Sequence, residues 1–242
     1  ISGTHGKTTT TAMVGLTLMD THYDPTIIVG SFVPALGNTN YRKGKSDMLV
    51  VEADEYRSDM LLLSPSIIVL TNIDADHLDF YRDLEDIQDH FQSFVKKLPK
   101  NGLLIKNNDD SNLKMITFPS MITYGFTVDS TVRAQHISVD GGIQKFEVLN
   151  GTTSLGEFTL QIPGRFNILN SLAVIATSLH LGVDVERIKK SLHDFQGTWR
   201  RFEMIGAYMS SPVYSDYGHH PTAVRATIRA CKRSGRYKNK RK

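Results

Sequence analysis

The run Gly3-Thr4-His5-Gly6-Lys7-Thr8, continued by Thr9, Thr10 and Thr11, limits the possible folds of this chain more than any other feature. A glycine-rich turn that feeds straight into a helix aims successive backbone N–H groups and the positive helix end at one point, where a phosphate chain can sit. On that reading Gly3, Thr4, His5, Gly6 and Thr9 frame the phosphates, Lys7 reaches the β- and γ-phosphates, and the Thr8 hydroxyl faces Mg²⁺. The pattern G-x-x-x-x-G-K-[S/T] expects glycine where Ile1 stands, so the loop is a shortened variant. The strand that should precede it is also missing from the sequence. A lone G-K-[S/T] turn can equally be an ordinary flexible loop.

The segments downstream alternate between strand and helix character. Residues 8–19 read as a helix, 48–53 (MLVVEA) as a short buried strand, and 56–63 as a helix stopped by Pro65. Residues 67–72 (IIVLTN) form a second buried strand. Asp83 then caps a helix carrying Ile87, Phe91, Phe94 and Val95 at helical spacing until Pro99, and 102–106 (GLLIK) is a further strand. This rhythm predicts an α/β fold, a P-loop-type, mostly parallel sheet flanked by helices. Between 117 and 162 the pieces VRAQHISV, IQKFEVL and EFTLQI are separated by Gly141-Gly142 and Asn150-Gly151, which predicts a small antiparallel subsheet. Helices return over 165–181, closed by Gly182, and over 185–195, capped by Asp184. A boundary is expected near Gly197, followed by two strands (FEMIGAYM and PVYSDYG) and a helix from Pro221.

Acidic and imidazole side chains gather where the predicted strands end. Glu52 closes MLVVEA and is followed by Asp54 and Glu55, while Asp74, Asp76 and His77 follow IIVLTN. In a doubly wound sheet these ends open on the same crevice as the phosphate loop, so they can hold magnesium beside a γ-phosphate. Each also has a simpler role: Asp74 or Asp76 as a turn cap, Asp54 and Glu55 as solvated first-turn acids, His77 as a loop residue.

Composition excludes several classes. The 242 residues are 40% hydrophobic and 22% charged, enough for a sizeable core, and no apolar run approaches the roughly 18 residues of a membrane span. Cys231 is the only cysteine, which removes disulfide frameworks and cysteine-built zinc sites. The net charge of +3 is a property of the end: seven basic residues follow Cys231, and the remainder carries −4. Nucleic-acid binding is therefore not the expected role of the body.

The runs GTHGKTTTT, VVEADEY, TNIDADHLDFY, PGRFNILN, WRRFE and SDYGHHPT, in this order across nearly the entire chain, resemble the Mur ligases of peptidoglycan precursor synthesis. The resemblance implies ATP and Mg²⁺ as cofactors, UDP-N-acetylmuramate and L-alanine as substrates, and a cytoplasmic location. An alternative substrate is the L-Ala-γ-D-Glu-diaminopimelate tripeptide in place of alanine. The chemistry implied is activation of the muramyl carboxylate as an acyl phosphate, which the amine then attacks. Lys7 and Thr8 would bind ATP phosphates and magnesium, and Glu52 and His77 would be metal ligands. Asn167 and Asn170 would contact adenine, Arg201 would neutralise phosphate charge, and Asp216 would hold the ribose. Tyr217 and His219 would lie near the amino-acid substrate, with His219 a candidate base. Gln92 stands where some relatives have a modified lysine, so no such modification is expected.

The resemblance also implies residues 1–197 as the central ATP-binding domain and 198–242 as the start of a Rossmann-like C-terminal domain. The chain would then be the middle of a three-domain enzyme, inactive as a ligase by itself. The final CKRSGRYKNKRK does not continue the resemblance. No membrane contact and no protein partner are expected. A remoter alternative is a non-catalytic nucleotide-binding module whose basic tail engages nucleic acid.

Overall fold

The computed structural model describes residues 1–209 and 211–233. The basic tail beyond Arg233, and any role for it, lies outside the described residues.

The chain folds as α1 (Lys7–Met19), β1 (Thr26–Val33), β2 (Thr39–Arg42), β3 (Leu49–Val51), β4 (Ile67–Leu70), α2 (Leu84–Val95), β5 (Leu103–Asn107), β6 (Met121–Gly125), β7 (Val132–Asp140), β8 (Ile143–Asn150), β9 (Thr153–Leu160), α3 (Arg165–His180) and α4 (Val185–Asp194), followed by β10 (Glu203–Tyr208), β11 (Ser211–Ser215) and α5 (Pro221–Arg233). One sheet has the order β2-β1-β3 and a second the order β4-β5-β6-β7-β8-β9. Residues 1 and 2 lie between them. Ile1 N donates to Val51 O at 2.9 Å and Ala53 N to Ile1 O at 2.8 Å. On the other side Ser2 N donates to Val69 O at 2.9 Å and Thr71 N to Ser2 O at 3.0 Å. The two residues ahead of the phosphate loop thus hold the central sheet position that the sequence lacks as a full strand.

Strands β4 to β7 are parallel neighbours, and β7, β8 and β9 are antiparallel. The expected subsheet is therefore an extension of the main sheet, joined through β6–β7. The period-2 alternation of strands assigns its apolar residues to two cores. Val69, Leu103 and Ile105 face the core built with α1, α3 and α4, while Ile68, Leu70 and Leu104 face the one built with α2. Helix α2 is amphipathic, with Ile87, Phe91, Phe94 and Val95 buried and the Asp83 carboxylate accepting Asp86 N at 2.9 Å. The Asp184 side chain likewise caps α4.

Three expectations need correction. Strands β1 and β2 have no counterpart among them, because Pro25, Gly30 and Pro34 break that region into pieces that read as loop. Residues 56–63 are not a regular helix: Tyr56–Leu62 is 3₁₀ turns, with Arg57 and Ser58 left-handed at φ 53° and 61°. Glu55 is not a solvated acid; it is 2% exposed. Beyond Gly197, β10 and β11 form an antiparallel pair and α5 starts at Pro221 as expected.

Candidate functional site

Helix α1 begins at a glycine. Gly6 is its N-cap at φ +88°, no side chain caps the turn, and the first helical bond runs from Thr10 N to Gly6 O at 2.9 Å. The amides of Lys7, Thr8 and Thr9 precede that bond and have no partner within the helix. A Cβ on Gly6 would stand 2.5 Å from Asn170 Oδ1, so only glycine lets the loop approach α3 this closely. Gly3, at φ +131°, packs on Thr71 and Asn72, which fixes the loop against the end of β4. Thr4, His5, Gly6, Lys7, Thr8 and Thr9 line a cleft of about 830 Å³; Gly3 lies behind it.

Two chains of polar contacts cross this cleft. The Thr8 hydroxyl donates to Glu52 Oε1 at 2.9 Å, and Gly30 N donates to Glu52 Oε2 at 2.6 Å. Arg201, 193 residues away, donates from Nη2 to Thr8 Oγ1 at 3.2 Å. It gets there because the preceding loop is pinned: Trp199 N donates to Phe32 O at 2.9 Å and Phe202 N to Asp216 Oδ2 at 2.8 Å. Arg200 and Phe202 adopt left-handed φ of 56° and 54° in this turn.

The second chain holds Lys7. Its Nζ donates to Gly3 O at 2.9 Å and to Glu55 Oε2 at 2.5 Å, with Asp54 Oδ1 at 3.7 Å. The other Glu55 oxygen, Oε1, is buried without a hydrogen-bond partner and faces His77 Nε2 at 3.7 Å. Burial pushes the Glu55 carboxyl up to about 7, with Lys7 pulling the other way. Of the three expected metal ligands, Thr8 and Glu52 touch each other, whereas His77 lines the cleft and faces Glu55. Hydroxyl and carboxylate oxygens beside a helix N-terminus suit a hard cation such as Mg²⁺, and the unpartnered Glu55 oxygen shows that the acids here are not saturated by the protein itself.

Asn167 and Asn170 share a face of α3 and both line the cleft. Asn167 Nδ2 donates to Pro163 O at 2.7 Å, and Asn170 Nδ2 donates to Asn167 Oδ1 at 3.2 Å. Asp216 organises its own loop by accepting from Phe202 N and Gly218 N. Tyr217 stacks under the Arg201 guanidinium at 4.9 Å, and its ring meets that of His219 edge-on at 5.3 Å. His219 Nε2 is 3.9 Å from Asp76.

Sequence reasoning did not single out Glu55 as the partner of Lys7, Gly30 as a donor to Glu52, or the pinning role of Trp199. The apolar burial of the VVEADEY run was the available signal for Glu55. The other two depend on β1, whose glycine and flanking prolines mask it as a strand in the sequence.

An α/β sheet whose central position leads into a phosphate-loop turn defines the class of the protein. Residues 1–178 match the Mur ligase middle domain. The chain belongs to the Mur ligase family. It is 42% identical over 236 residues to the UDP-N-acetylmuramate–L-alanine ligase of Desulfitobacterium hafniense, an alignment covering 97% of this chain and 52% of that protein. It is also 42% identical over 231 residues to the ligase of the same name from Aquifex aeolicus, covering 94% and 51%. Among solved structures it superposes on the UDP-N-acetylmuramate-alanine ligase of Thermotoga maritima with a TM-score of 0.83 and 30% identity, covering 96% of this chain and 53% of that one. The chain thus spans about half the length of the curated relatives it matches. Among the described residues no helix is long and apolar enough to cross a membrane.

Proposed function

We propose that this chain is the ATP-binding part of a ligase that joins L-alanine to the carboxylate of UDP-N-acetylmuramate in cytoplasmic peptidoglycan precursor synthesis. Residues 1–197 form the nucleotide-binding domain on this reading, and the segment from 198 onward begins a second domain. The observation that carries it is the contact chain Arg201–Thr8–Glu52, which gathers a cation and two oxygen ligands from three distant segments at the start of α1. The names and extent of the relatives support the substrates.

ATP supplies the phosphoryl group that activates a carboxylate for attack by an amine, and Mg²⁺ offsets the charge on that group. Thr8 and Glu52 would hold the cation, and His77, which faces Glu55 in the same cleft, would be a further ligand. Lys7 would exchange Glu55 for phosphate oxygens, and Arg201, held at Thr8, would neutralise charge beside it. The amides at the start of α1 bind phosphate directly. Asn167 and Asn170 meet the adenine, Asp216 the ribose, and Tyr217 and His219 the amino-acid side, where His219 takes the proton of the incoming amine.

The test is ADP release by the protein that contains this chain, assayed with each substrate withheld in turn. Release that requires both UDP-N-acetylmuramate and L-alanine is expected; ADP release independent of the amino acid would overturn the reading. Preference for the L-Ala-γ-D-Glu-diaminopimelate tripeptide would replace alanine as substrate. That outcome stays within the reach of the fold, because the chain also superposes on a UDP-N-acetylmuramate:L-alanyl-γ-D-glutamyl-meso-diaminopimelate ligase from Neisseria meningitides at a TM-score of 0.72 and 28% identity.

A further inference from the structure

A second set of ligating groups lies in the cleft, chemically unlike the oxygen set at Thr8 and Glu52. His5 keeps its main chain in the phosphate loop but turns its ring to Asp74, with Nε2 3.3 Å from Asp74 Oδ2. His220 Nδ1 lies 3.5 Å from the same oxygen. One ligand atom from each of the three residues falls within 4.8 Å of the others. Four ligand atoms at tetrahedral corners about 2.0 Å from a centre are separated by about 3.3 Å. The two distances on the carboxylate match that edge. They are long for charge-assisted hydrogen bonds, which run at about 2.7–2.9 Å.

We propose that His5, Asp74 and His220 form a binding site for a divalent transition-metal ion of the Zn²⁺ class, with a fourth position open to water in the cleft. Two imidazole nitrogens and one carboxylate oxygen are a ligand set for zinc and its neighbours, whereas magnesium takes oxygen.

The ligands are held from behind, as such sites require. The His5 main chain is fixed by three hydrogen bonds: its N–H donates to Asn72 Oδ1 at 2.8 Å, and its carbonyl accepts from Asn72 Nδ2 at 2.7 Å and from Thr71 Oγ1 at 2.6 Å. Asp74 Oδ1 accepts Ala75 N at 2.9 Å, while Oδ2 faces both rings. His220 sits at the entry to α5, where its carbonyl accepts Val224 N at 3.0 Å. Its Nδ1 receives only a long N–H contact from Thr222, at 3.3 Å, which a metal would displace.

The protonation states suit ligation. Burial holds the His5 imidazole below its ordinary pKa, in the neutral form that binds metal. Burial of Asp74 opposes ionisation, but hydrogen bonds from Thr222, the Ala75 amide and His5 outweigh it and keep the carboxyl below its usual value. An ion here would tie the segment beyond Gly197 to the phosphate loop. This inference does not depend on the ligase reading, because the three ligand atoms are brought together by contacts within the protein.

The test is calorimetric titration of the intact protein with Zn²⁺ in magnesium-containing, nucleotide-free buffer, paired with visible absorption of the Co²⁺ form. One equivalent is expected to bind, with the d–d bands of a four-coordinate site. His5→Ala, Asp74→Asn and His220→Ala each remove a ligand. Each should weaken binding by more than the roughly 10–100-fold that loss of a supporting second-sphere group costs. His220→Gln repeats the test should His220→Ala fold poorly, and His5→Gln does so for His5→Ala, as judged by circular dichroism. His22→Ala, at an exposed histidine, and Glu52→Gln, at the oxygen-lined site, should leave Zn²⁺ affinity unchanged. Unaltered binding in the ligand variants, loss of binding in Glu52→Gln, or no saturable binding would each overturn the proposal.

Discussion

The cleft and the β7–β9 extension belong to one sheet but treat polar groups in opposite ways. In the extension the half-buried Glu147 carboxylate accepts from Gln135 Nε2, Ser154 Oγ and His136 Nδ1 at 2.7–2.9 Å. Those donors hold its carboxyl down at about 2. The turn glycines Gly141 and Gly151 have positive φ and open space around them. In the cleft Glu55 is buried, one of its oxygens lacks a partner, and Gly3 and Gly6 have positive φ with no room for a Cβ. The extension satisfies the Glu147 carboxylate with donors from its own strands. The cleft instead leaves a buried carboxylate oxygen without a donor beside the phosphate-loop turn, the kind of perturbed group that accompanies binding sites.

The largest effect that separates the two regions is on nucleotide binding. Lys7→Ala is expected to weaken ATP binding by roughly 100-fold, about 2.7 kcal/mol, in a fluorescent-nucleotide displacement titration. Lys145→Ala removes a lysine from the extension, where it pairs with Asp140 at 3.2 Å, and should leave affinity unchanged. Equal losses would place the nucleotide somewhere other than the phosphate-loop cleft.

Backbone conformation gives the next contrast. Gly6→Ala forces a side chain into a left-handed position and against Asn170, at a cost of about 2–3 kcal/mol in urea unfolding. Gly151→Ala meets the same conformational penalty without a clash and should cost about 1 kcal/mol. A smaller loss at Gly6 than at Gly151 would mean the loop and α3 are not in close approach.

The same contrast explains what could be read from the residues alone. Locally encoded features are the readable ones: α2 with its Asp83 cap, α4 with Asp184, the hairpin at Asn150-Gly151, and the phosphate loop. Strand β1 is hard to read because Gly30 interrupts its apolar pattern, yet that glycine is there for a reason: its amide donates to Glu52, and a Cβ would stand 2.8 Å from the carboxylate. Tyr56–Leu62 reads as a helix by composition, but Tyr81 donates to the Glu55 carbonyl and Ser58 meets His90 at 2.6 Å, contacts made only across the fold. The approach of Arg201 to Thr8 spans 193 residues, and no local pattern encodes it. Motif order places the candidate residues along the chain; the fold alone sets their partners.

The two carboxyls also predict different pH windows for stability. Burial raises Glu55 from 4.5 to about 7, so the folded state holds this proton more tightly than the unfolded chain. Its contribution is full below about pH 4.5 and is lost as pH rises through 7, with a slope of at most about 1.4 kcal/mol per pH unit. Glu55→Gln should flatten the unfolding midpoint between pH 4.5 and 7.

The smallest effect lies at Glu147 and has the opposite sign. Hydrogen bonds from Gln135, Ser154 and His136 lower its carboxyl from 4.5 to about 2, so the unfolded chain binds this proton more readily than the folded one. Its contribution is present above about pH 4.5 and disappears as pH falls toward 2. Because the carboxylate lies at the surface and is partly open to water, solvent and salt screen most of that contribution, and the change in midpoint should shrink further at high ionic strength. Glu147→Gln should therefore alter the acid limb alone and leave the pH 4.5–7 region as it was, while Glu55→Gln does the reverse. Thermal unfolding of both variants across pH 2–7 tests this directly. Overlapping windows would mean that the cleft and the extension do not hold their carboxyls by different means, burial in one and donated hydrogen bonds in the other.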